Sequence, residues 1–586
     1  MKQFLLTFAA VVLAGIFLLA LPLIIISAIA SAAMSDDKNE IKQHTVVTLD
    51  LSEALTDRDM DSPAYRLRNV MSGAEATHGL NTLAKKLDLA ANDENVVALY
   101  LEGADAKVNM ANMRAVRQLI ANFKKESGKP VYYYDDYIDA DNTLYIASVA
   151  DSIFINPEGL VSMYGAVVSK LFYKNLADKI GVGFDIIKHG RYKSAVEPFF
   201  RDSMSDDDRA QSQRICDVIW AEIRDSIAAG RGIKQPEVID QYIDNLESFV
   251  GKLDRAVEIG LVDGGVYYDQ FKEKLAAIAK VDAADLNFKS VYDLTLAPKL
   301  SDSGNLAVIY AQGEILVGEN DSDEGNIYSD NLAATIRKAR LDDDIKAVVL
   351  RVNSPGGSAL ASEVIWREVC LTVAVKPVVV SMGGYAASGG YYISCAANYI
   401  YAEPTTLTGS IGVYGMIPNA EKLAQNVGVN LDIVASSKNP TVTGFRALKE
   451  TEKAALVRSV ERTYHTFVSH VSEGRHMTYE AVDSIGQGRV WMGADAVNNG
   501  LVDELGNIND AIAKAASLAG LDDYEVAEFP KIDDSPMAVF KSMGVSVRAT
   551  VGHYILGSDF DKFERLRSQV EASPASIWAR CDVEVK

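Results

Sequence analysis

One segment of this sequence occurs twice, and this internal repeat constrains the fold more than any other feature. Residues 129–131 and 376–378 are both Lys-Pro-Val, at an offset of 247 residues. Residues 260–263 and 500–503 are both Gly-Leu-Val-Asp, at an offset of 240 residues. Because the offset stays nearly constant over about 160 residues, the repeat predicts two homologous lobes within one chain.

Each copy alternates short apolar runs with helical stretches, the pattern of an α/β fold. The runs VVALYL and PVYYY of the first copy correspond to AVVLRV and PVVVSM of the second, and such β-branched runs are typical of buried parallel strands. We expect a first lobe over residues 36–280, a linker over 281–305, a second lobe over 306–521 and a tail over 522–586.

The chain opens with 33 uncharged residues, from position 3 to position 35. As a helix rising about 1.5 Å per residue, this stretch would exceed the ~30 Å hydrocarbon core of a bilayer. A cleaved signal peptide is the alternative, since Ala-x-Ala patterns lie at residues 28–30 and 30–32, but its apolar region is only about half as long. We therefore predict a transmembrane helix over residues 1–35, with the remainder of the chain outside the cytoplasm.

The charge balance and the cysteines exclude several classes of function. The chain has 58 Lys and Arg against 80 Asp and Glu, a formal net charge of −22. Phosphate backbones would repel such a chain, so we predict no nucleic-acid partner. The four cysteines show no Cys-x-x-Cys spacing, and no His-Glu-x-x-His motif is present. These patterns predict free thiols and no metal site.

The two copies differ where chemistry would be expected. In the second copy a strand leads into Ser-Pro-Gly-Gly at residues 354–357, whereas the first copy has no glycine pair there. Ser410 lies in Thr-Gly-Ser-Ile-Gly, and the equivalent residue of the first copy is Met163. A glycine pair frees backbone N–H groups to point at a ligand, and a glycine-flanked serine is open to another chain. These two features together are the arrangement of an oxyanion hole and a nucleophile. The alternative interpretation is that the glycine-flanked serine only forms a tight turn.

A serine nucleophile needs a base, and no histidine lies between positions 189 and 465. This absence argues against Ser388 as the nucleophile of a Ser-His-Asp triad. A lysine base is the remaining solution. Lys376 begins a strand, so a structural role explains it. Lys438 in a polar loop and Lys193 after a strand of the first copy both remain candidates for the base.

Several strings taken together resemble one known family. RVNSPGGSALASEVI, VVSMGGYAASGGYYIS, TLTGSIGVYG, RYKSAVEPF and NNGLVDELG are similar to the long, tandem form of signal peptide peptidase A, also called protease IV. The resemblance runs from the N-terminus to about residue 520. It implies an α/β fold of two tandem Clp/crotonase-like repeats, a homotetramer, and a place on the outer face of a bacterial cytoplasmic membrane.

The resemblance also implies roles for single residues. Ser410 matches the family's nucleophile, and Lys193 matches its general base. A backbone N–H of Gly357 or Gly356, with Gly357 favoured, would form an oxyanion hole together with the N–H of Ser410. Because Lys193 lies in the first copy and Ser410 in the second, each lobe carries half of the dyad. The site is therefore expected where the lobes meet.

Such a dyad would cleave peptides without a metal or any other cofactor. Lysine has an ordinary pKa near 10.4, so a lysine base at pH 7 requires that its ammonium be destabilised by about 4.6 kcal/mol, which burial can supply. A close Glu197 would oppose this, and we expect its carboxylate to point elsewhere. The implied function is a membrane-anchored serine endopeptidase that degrades apolar peptides such as cleaved signal peptides. A catalytically silent scaffold and a crotonase-like acyl-CoA enzyme are the alternatives.

Overall fold

The structure is a computed structural model that describes residues 41–58, 77–250, 253–296, 304–320, 325–438, 444–531 and 577–581. The transmembrane helix predicted over residues 1–35 lies outside these ranges. Within them, no helix is both long enough and apolar enough to cross a bilayer. Cys216, Cys370, Cys395 and Cys581 are all free thiols.

The first lobe alternates strands with helices and ends in a short 3-10 helix. Its elements in chain order are β1 (Thr45–Asp50), β2 (Ala54–Thr56), β3 (Thr77–Gly79), α1 (Leu80–Asn92), β4 (Val96–Glu102), α2 (Met110–Ser127), β5 (Val131–Asp135), α3 (Asp141–Ala147), β6 (Ser152–Ile155), α4 (Lys174–Ile180), β7 (Gly183–His189), α5 (Glu197–Phe200), α6 (Asp206–Arg231), α7 (Glu237–Asp244), α8 (Glu247–Val250), α9 (Leu253–Glu258), β8 (Gly264–Gly265), α10 (Tyr268–Ala279), β9 (Asn287–Ser290) and the 3-10 helix Val291–Asp293.

The second lobe follows the same plan. Its elements are β10 (Leu306–Gln312), β11 (Ile315–Leu316), β12 (Ile327–Tyr328), α11 (Ser329–Leu341), β13 (Ala347–Ser354), β14 (Gly356–Ser358), α12 (Ala359–Val373), β15 (Val378–Ala387), α13 (Gly389–Ser394), β16 (Tyr399–Ala402), β17 (Leu407–Gly409), β18 (Val413–Asn419), α14 (Glu421–Asn426), α15 (Glu450–Gly474), α16 (Tyr479–Ile485), β19 (Val490–Met492), α17 (Gly493–Asn498), β20 (Glu504–Leu505), α18 (Ile508–Leu518), β21 (Val526–Phe529) and β22 (Ile577–Arg580).

The two main sheets have equivalent topology. In the first lobe the order is β8-β6-β5-β4-β1-β9, with every neighbouring pair parallel. In the second lobe the parallel series β20-β16-β15-β13-β10-β21 repeats that order, and β17 and β19 extend the sheet. The prediction of two homologous α/β lobes is confirmed.

The central strands are apolar nearly throughout because cores lie on both faces of the sheet. In β10, Ala307 and Ile309 contact one hydrophobic cluster, while Leu306 and Val308 contact another. Alternate side chains of a strand point to opposite faces, so a strand covered on both sides needs apolar residues at successive positions.

Both lobes extend beyond their predicted ends. The linker predicted over 281–305 contains β9, which pairs with β1 in the register Thr45↔Asn287. The tail predicted over 522–586 contains β21, which pairs with β10 in the register Leu306↔Val526. These boundaries were wrong because each sheet takes one more strand from farther along the chain, so that β1 and β10 are paired on both sides.

A third sheet joins the lobes and positions the site. Its order is β12-β11-β14-β22-β18-β7, and only β7 comes from the first lobe. β7 pairs antiparallel with β18 from Val413↔His189 to Asn419↔Gly183. A buried ion pair between Arg351 Nη2 and Asp57 Oδ1, at 2.8 Å, also crosses between the lobes. The first-lobe segment after β7 is thereby fixed beside the second-lobe segment before β18.

Candidate active site

Ser410 occupies a sharp turn between β17 and β18. Its φ is 49°, a left-handed conformation that is uncommon for a residue other than glycine, and the preceding Gly409 has a φ of 69°. The Ser410 N–H donates to the carbonyl of Arg489 at 2.7 Å, which holds the turn in place. The side chain therefore leaves the end of a buried strand in a fixed direction.

Lys193 reaches the same place from the first lobe. The chain leaves β7 through Gly190, whose φ is 101°, and the Tyr192 N–H then donates to the carbonyl of Gln487 at 3.0 Å. Gly488 allows this close approach, because a Cβ there would lie only 2.6 Å from the Cβ of Lys193. Lys193 is 1% exposed, so its amine is enclosed where the lobes meet.

The lysine amine contacts two serine hydroxyls. Lys193 Nζ lies 3.0 Å from Ser410 Oγ and 2.8 Å from Ser388 Oγ, and it also donates to the carbonyl of Ser410 at 3.3 Å. These oxygens carry no formal charge. The structure thus brings together the lysine and serine that the sequence analysis paired, across 217 residues of chain.

The alternative lysines lie elsewhere. Lys376 Nζ donates to the backbone carbonyls of Ala339 and Asp342, which gives it the structural role expected from its position before a strand. Lys438 lies in an exposed loop, where its carbonyl accepts a hydrogen bond from Lys449 Nζ. Lys193 is therefore the candidate that the structure places against Ser410.

Ser388 is a site residue whose contact with lysine the sequence analysis missed. It sits between β15 and α13 with a φ of 57° and a ψ of −111°, is fully buried, and donates its N–H to the carbonyl of Gly409. A comparison of the copies at the offset of 247 residues could have singled it out, because Asp141 stands at the equivalent position. Burial raises the pKa of Asp141 to about 6.

The two serines differ in their access to open space. A small cavity is lined by Ser410 and Lys193, and also by Arg580 and Cys581 from the end of the chain. Ser388 does not line it. Of the two serines in contact with the amine, Ser410 is the one that lines this cavity.

The predicted oxyanion hole needs one correction. The Ser410 N–H was expected to be a donor, but it is committed to the carbonyl of Arg489 by the left-handed turn. The Gly356 N–H donates to Ser354 Oγ at 3.1 Å, and Gly356 has a φ of 98°. Gly357 lies beside it in β14 and remains the predicted donor.

The charged neighbours in sequence are engaged by other partners. The buried carboxylate of Glu197 accepts hydrogen bonds from the N–H of Ser205 at 2.9 Å and from its Oγ at 2.6 Å. The exposed side chain of Arg191 forms an ion pair with Asp207. Glu197 thus contributes to the start of α6, where Ser205 is the N-cap residue.

Two α/β repeats that jointly enclose a serine hydroxyl and a lysine amine define a class of protein, the two-lobed α/β proteins that share one candidate Ser-Lys site between their lobes. The profile of Peptidase family S49 matches residues 123–282 and 371–522, one segment in each lobe. The chain therefore belongs to peptidase family S49. Membership of this family makes it a serine-type peptidase.

Similar proteins match most of the chain. Protease 4 of Salmonella typhi is 37% identical over 521 residues, which are 86% of this chain and 82% of that protein. Protease 4 of Haemophilus influenzae is 39% identical over 430 residues, 72% of this chain and 69% of that protein. The chloroplastic serine protease SPPA of Arabidopsis thaliana is 31% identical over 453 residues, 75% of this chain and 66% of that protein. ClpP1 from Listeria monocytogenes matches with a TM-score of 0.22 and 17% identity, covering 35% of this chain and 94% of that chain.

Proposed function

We propose that the chain is a membrane-anchored serine endopeptidase with a Ser-Lys dyad, in which Ser410 is the nucleophile and Lys193 the general base. The observation that carries this proposal is the distance of 3.0 Å between Lys193 Nζ and Ser410 Oγ inside a buried interface. The relatives named Protease 4 support the reaction class. Its substrates are apolar peptides, among them the remnants of cleaved signal peptides.

In the proposed reaction the neutral amine of Lys193 takes the proton of Ser410 as its Oγ attacks a peptide carbonyl. The amine then passes the proton to the leaving nitrogen, and water releases the acyl-enzyme. Burial of Lys193 to 1% exposure favours the neutral amine, because desolvation penalises the ammonium form. No metal or other cofactor enters these steps.

Two further groups assist the dyad in this proposal. Ser388 is a positioning residue, since its hydroxyl lies 2.8 Å from Lys193 Nζ and orients the amine toward Ser410. The N–H of Gly357 stabilises the oxyanion, and one such donor typically contributes about 3–4 kcal/mol. With the Ser410 N–H committed to Arg489, we assign no second donor.

The surroundings of the dyad suit an extended peptide. The site lies beside β14 and β18, whose main chains pair with a strand running between them. Peptide recognition by strand addition draws affinity from main-chain hydrogen bonds and specificity from side-chain pockets.

The proposal also includes the setting of the enzyme, for which the support comes from the sequence. We place it at the bacterial cytoplasmic membrane, held by residues 1–35 with the lobes outside the cytoplasm, and assembled as a homotetramer. The uncharged N-terminal stretch and the family resemblance support this placement.

The test is cleavage of an apolar reporter peptide by the full chain in detergent or lipid. Ser410→Ala and Lys193→Ala should each abolish cleavage while the assembly stays intact. Lys438→Ala is the matched control and should cleave normally. Normal cleavage by Lys193→Ala would contradict the base assignment. A wild-type chain that ignores peptides would indicate a silent scaffold, and one that also binds coenzyme A would indicate a crotonase-like enzyme.

A further inference from the structure

The end of the chain occupies the strand position beside the dyad. β22 runs between β14 and β18 and is antiparallel to both, with the register Gly356↔Arg580 on one side and Tyr414↔Trp578 on the other. The Cys581 N–H continues the pairing by donating to the carbonyl of Pro355 at 2.7 Å. Residues 532–576, which precede β22, lie outside the described ranges.

The place filled by β22 has the dimensions of a peptide-binding slot. Neighbouring strands lie about 4.8 Å apart, so β14 and β18 flank a gap of about 9–10 Å that one extended chain fills. Without that chain, both strands would present unpaired backbone groups to each other. The side chains of β22 therefore show which residues the slot accepts, position by position.

Most positions of the slot are apolar. Trp578 packs in a cluster with Val196 and Tyr414, and Ala579 is fully buried in the core of the second lobe. Cys581 is 4% exposed and lines the cavity that holds the dyad. These pockets agree with a peptide of largely apolar or small residues.

One position is charged. Arg580, which lies opposite Gly356, forms a buried ion pair with Glu314, with 2.9 Å between Arg580 Nη1 and Glu314 Oε1. The two side chains are about equally buried, at 10% and 9% exposure. A buried carboxylate next to a peptide slot favours a cation there and disfavours an anion, because desolvation strengthens both interactions.

The backbone of Glu314 is held in place by residues of the second lobe. The residue follows Gly313, whose φ is 97°, at the turn between β10 and β11. Its N–H donates to Asn326 Oδ1 at 3.3 Å, and its carbonyl accepts from the Ile327 N–H at 2.8 Å. The backbone that carries this acidic group is therefore fixed by contacts within the second lobe, outside β22.

We propose that Glu314 is a specificity-determining residue, which selects a basic side chain at the peptide position opposite Gly356 in an otherwise apolar substrate. The proposal rests on the proposed function, because it assigns a substrate feature to the same cleft. The C-terminal strand, with Arg580 at that position, is the resident occupant of this cleft and competes with substrates for it.

Two single substitutions in the full chain test the proposal. Arg580→Glu and Glu314→Arg each place like charges together and should expel β22 from the slot. The two variant chains carry opposite charges at position 314, so the peptide that one of them prefers should be the peptide that the other disfavours. Two fluorescent peptides copy residues 577–586, one unchanged and one with Glu in place of the arginine, and fluorescence anisotropy measures their binding.

The Arg580→Glu chain should bind the arginine peptide at least about tenfold more tightly than the glutamate peptide. The Glu314→Arg chain should show the reverse order. Glu319→Arg is the matched control, since it makes the same charge change at an exposed glutamate five residues away. That chain should bind both peptides as weakly as the wild type, whose slot is occupied.

An identical peptide preference in the Arg580→Glu and Glu314→Arg chains would overturn the proposal and leave Glu314 only an anchor for β22. Hydrolysis of the two peptides is scored in parallel. Binding with the expected selectivity but no hydrolysis would refute the proposed peptidase reaction and leave the assignment of Glu314 intact. Hydrolysis of both peptides without a charge preference would refute the assignment alone.

Discussion

Replacing Ser388 by alanine tests whether a second serine positions the catalytic amine. In the structure Lys193 Nζ lies 2.8 Å from Ser388 Oγ and 3.0 Å from Ser410 Oγ, and Ser388 is fully buried. Alanine removes an acceptor from a buried donor, which typically costs about 1–3 kcal/mol. If that energy is lost in the transition state, kcat falls by roughly 5- to 150-fold.

The assay distinguishes a role of Ser388 in positioning the Lys193 amine from a role as the nucleophile itself. The kcat and KM values for an apolar reporter peptide are measured for Ser388→Ala and for Ser394→Ala. Ser394 is the matched control, because it is equally buried and its hydroxyl donates to the Gly390 carbonyl at 2.7 Å. We expect a loss in kcat with little change in KM for Ser388→Ala, since Ser388 does not line the cavity beside the dyad.

A serine-reactive inhibitor supplies the second readout for this prediction. It should label Ser410 in the Ser388→Ala chain, slowly but to completion. The reasoning is refuted if the inhibitor labels Ser388 in the wild-type chain, if the Ser388→Ala chain is not labelled at all, or if the kcat of Ser388→Ala equals that of Ser394→Ala.

Three further predictions concern the surroundings of the site. Gly488→Ala should lower turnover by about tenfold or more with the fold retained by circular dichroism, because a Cβ there meets Lys193 in a left-handed turn; wild-type turnover would contradict this. Burial raises the pKa of Glu403 to about 7 from an ordinary 4.5, so the free energy of unfolding should fall by about 3 kcal/mol as pH rises through that interval. Urea unfolding at pH 5 and pH 8 checks this, and Glu403→Gln should remove that part of the slope; an unchanged slope would refute it. Arg580→Glu should raise the turnover of an arginine-containing peptide, because β22 would leave the slot. An unchanged or lower rate would contradict the claim that β22 competes with substrates for the cleft.

The two lobes and their buried parallel strands were predictable because they correspond to local patterns in the sequence. The repeat offset predicted two lobes, and apolar runs such as that of β10 predicted buried parallel strands. β9 and β21 were assigned to a linker and a tail because each is far in sequence from the strand with which it pairs. Their own residues carry a weak pattern, and their place is set by pairing with β1 and β10, which lie more than 200 residues away in the sequence.

The contact between Lys193 and Ser410 was predicted through the family resemblance, because the residues alone left both Lys193 and Lys438 as possible bases. The finer geometry depends on backbone angles that no motif encodes. The direction of the Ser410 N–H follows from a φ of 49°, and the role of Ser388 follows from a contact across 195 residues. β22 has no counterpart in the repeat, so nothing in the sequence indicated that the end of the chain enters the cleft.

The central claim is that a lysine of one lobe activates a serine of the other. The most direct measurement is the rate at which a peptide-like acylating inhibitor modifies the full chain, with the modified residue mapped by mass spectrometry. The wild-type chain should carry one adduct, on Ser410, and Lys193→Met should slow its formation by about 10²- to 10⁴-fold, as expected for loss of a general base. An equal rate in Lys193→Met, or an adduct on a residue other than Ser410, would contradict the account.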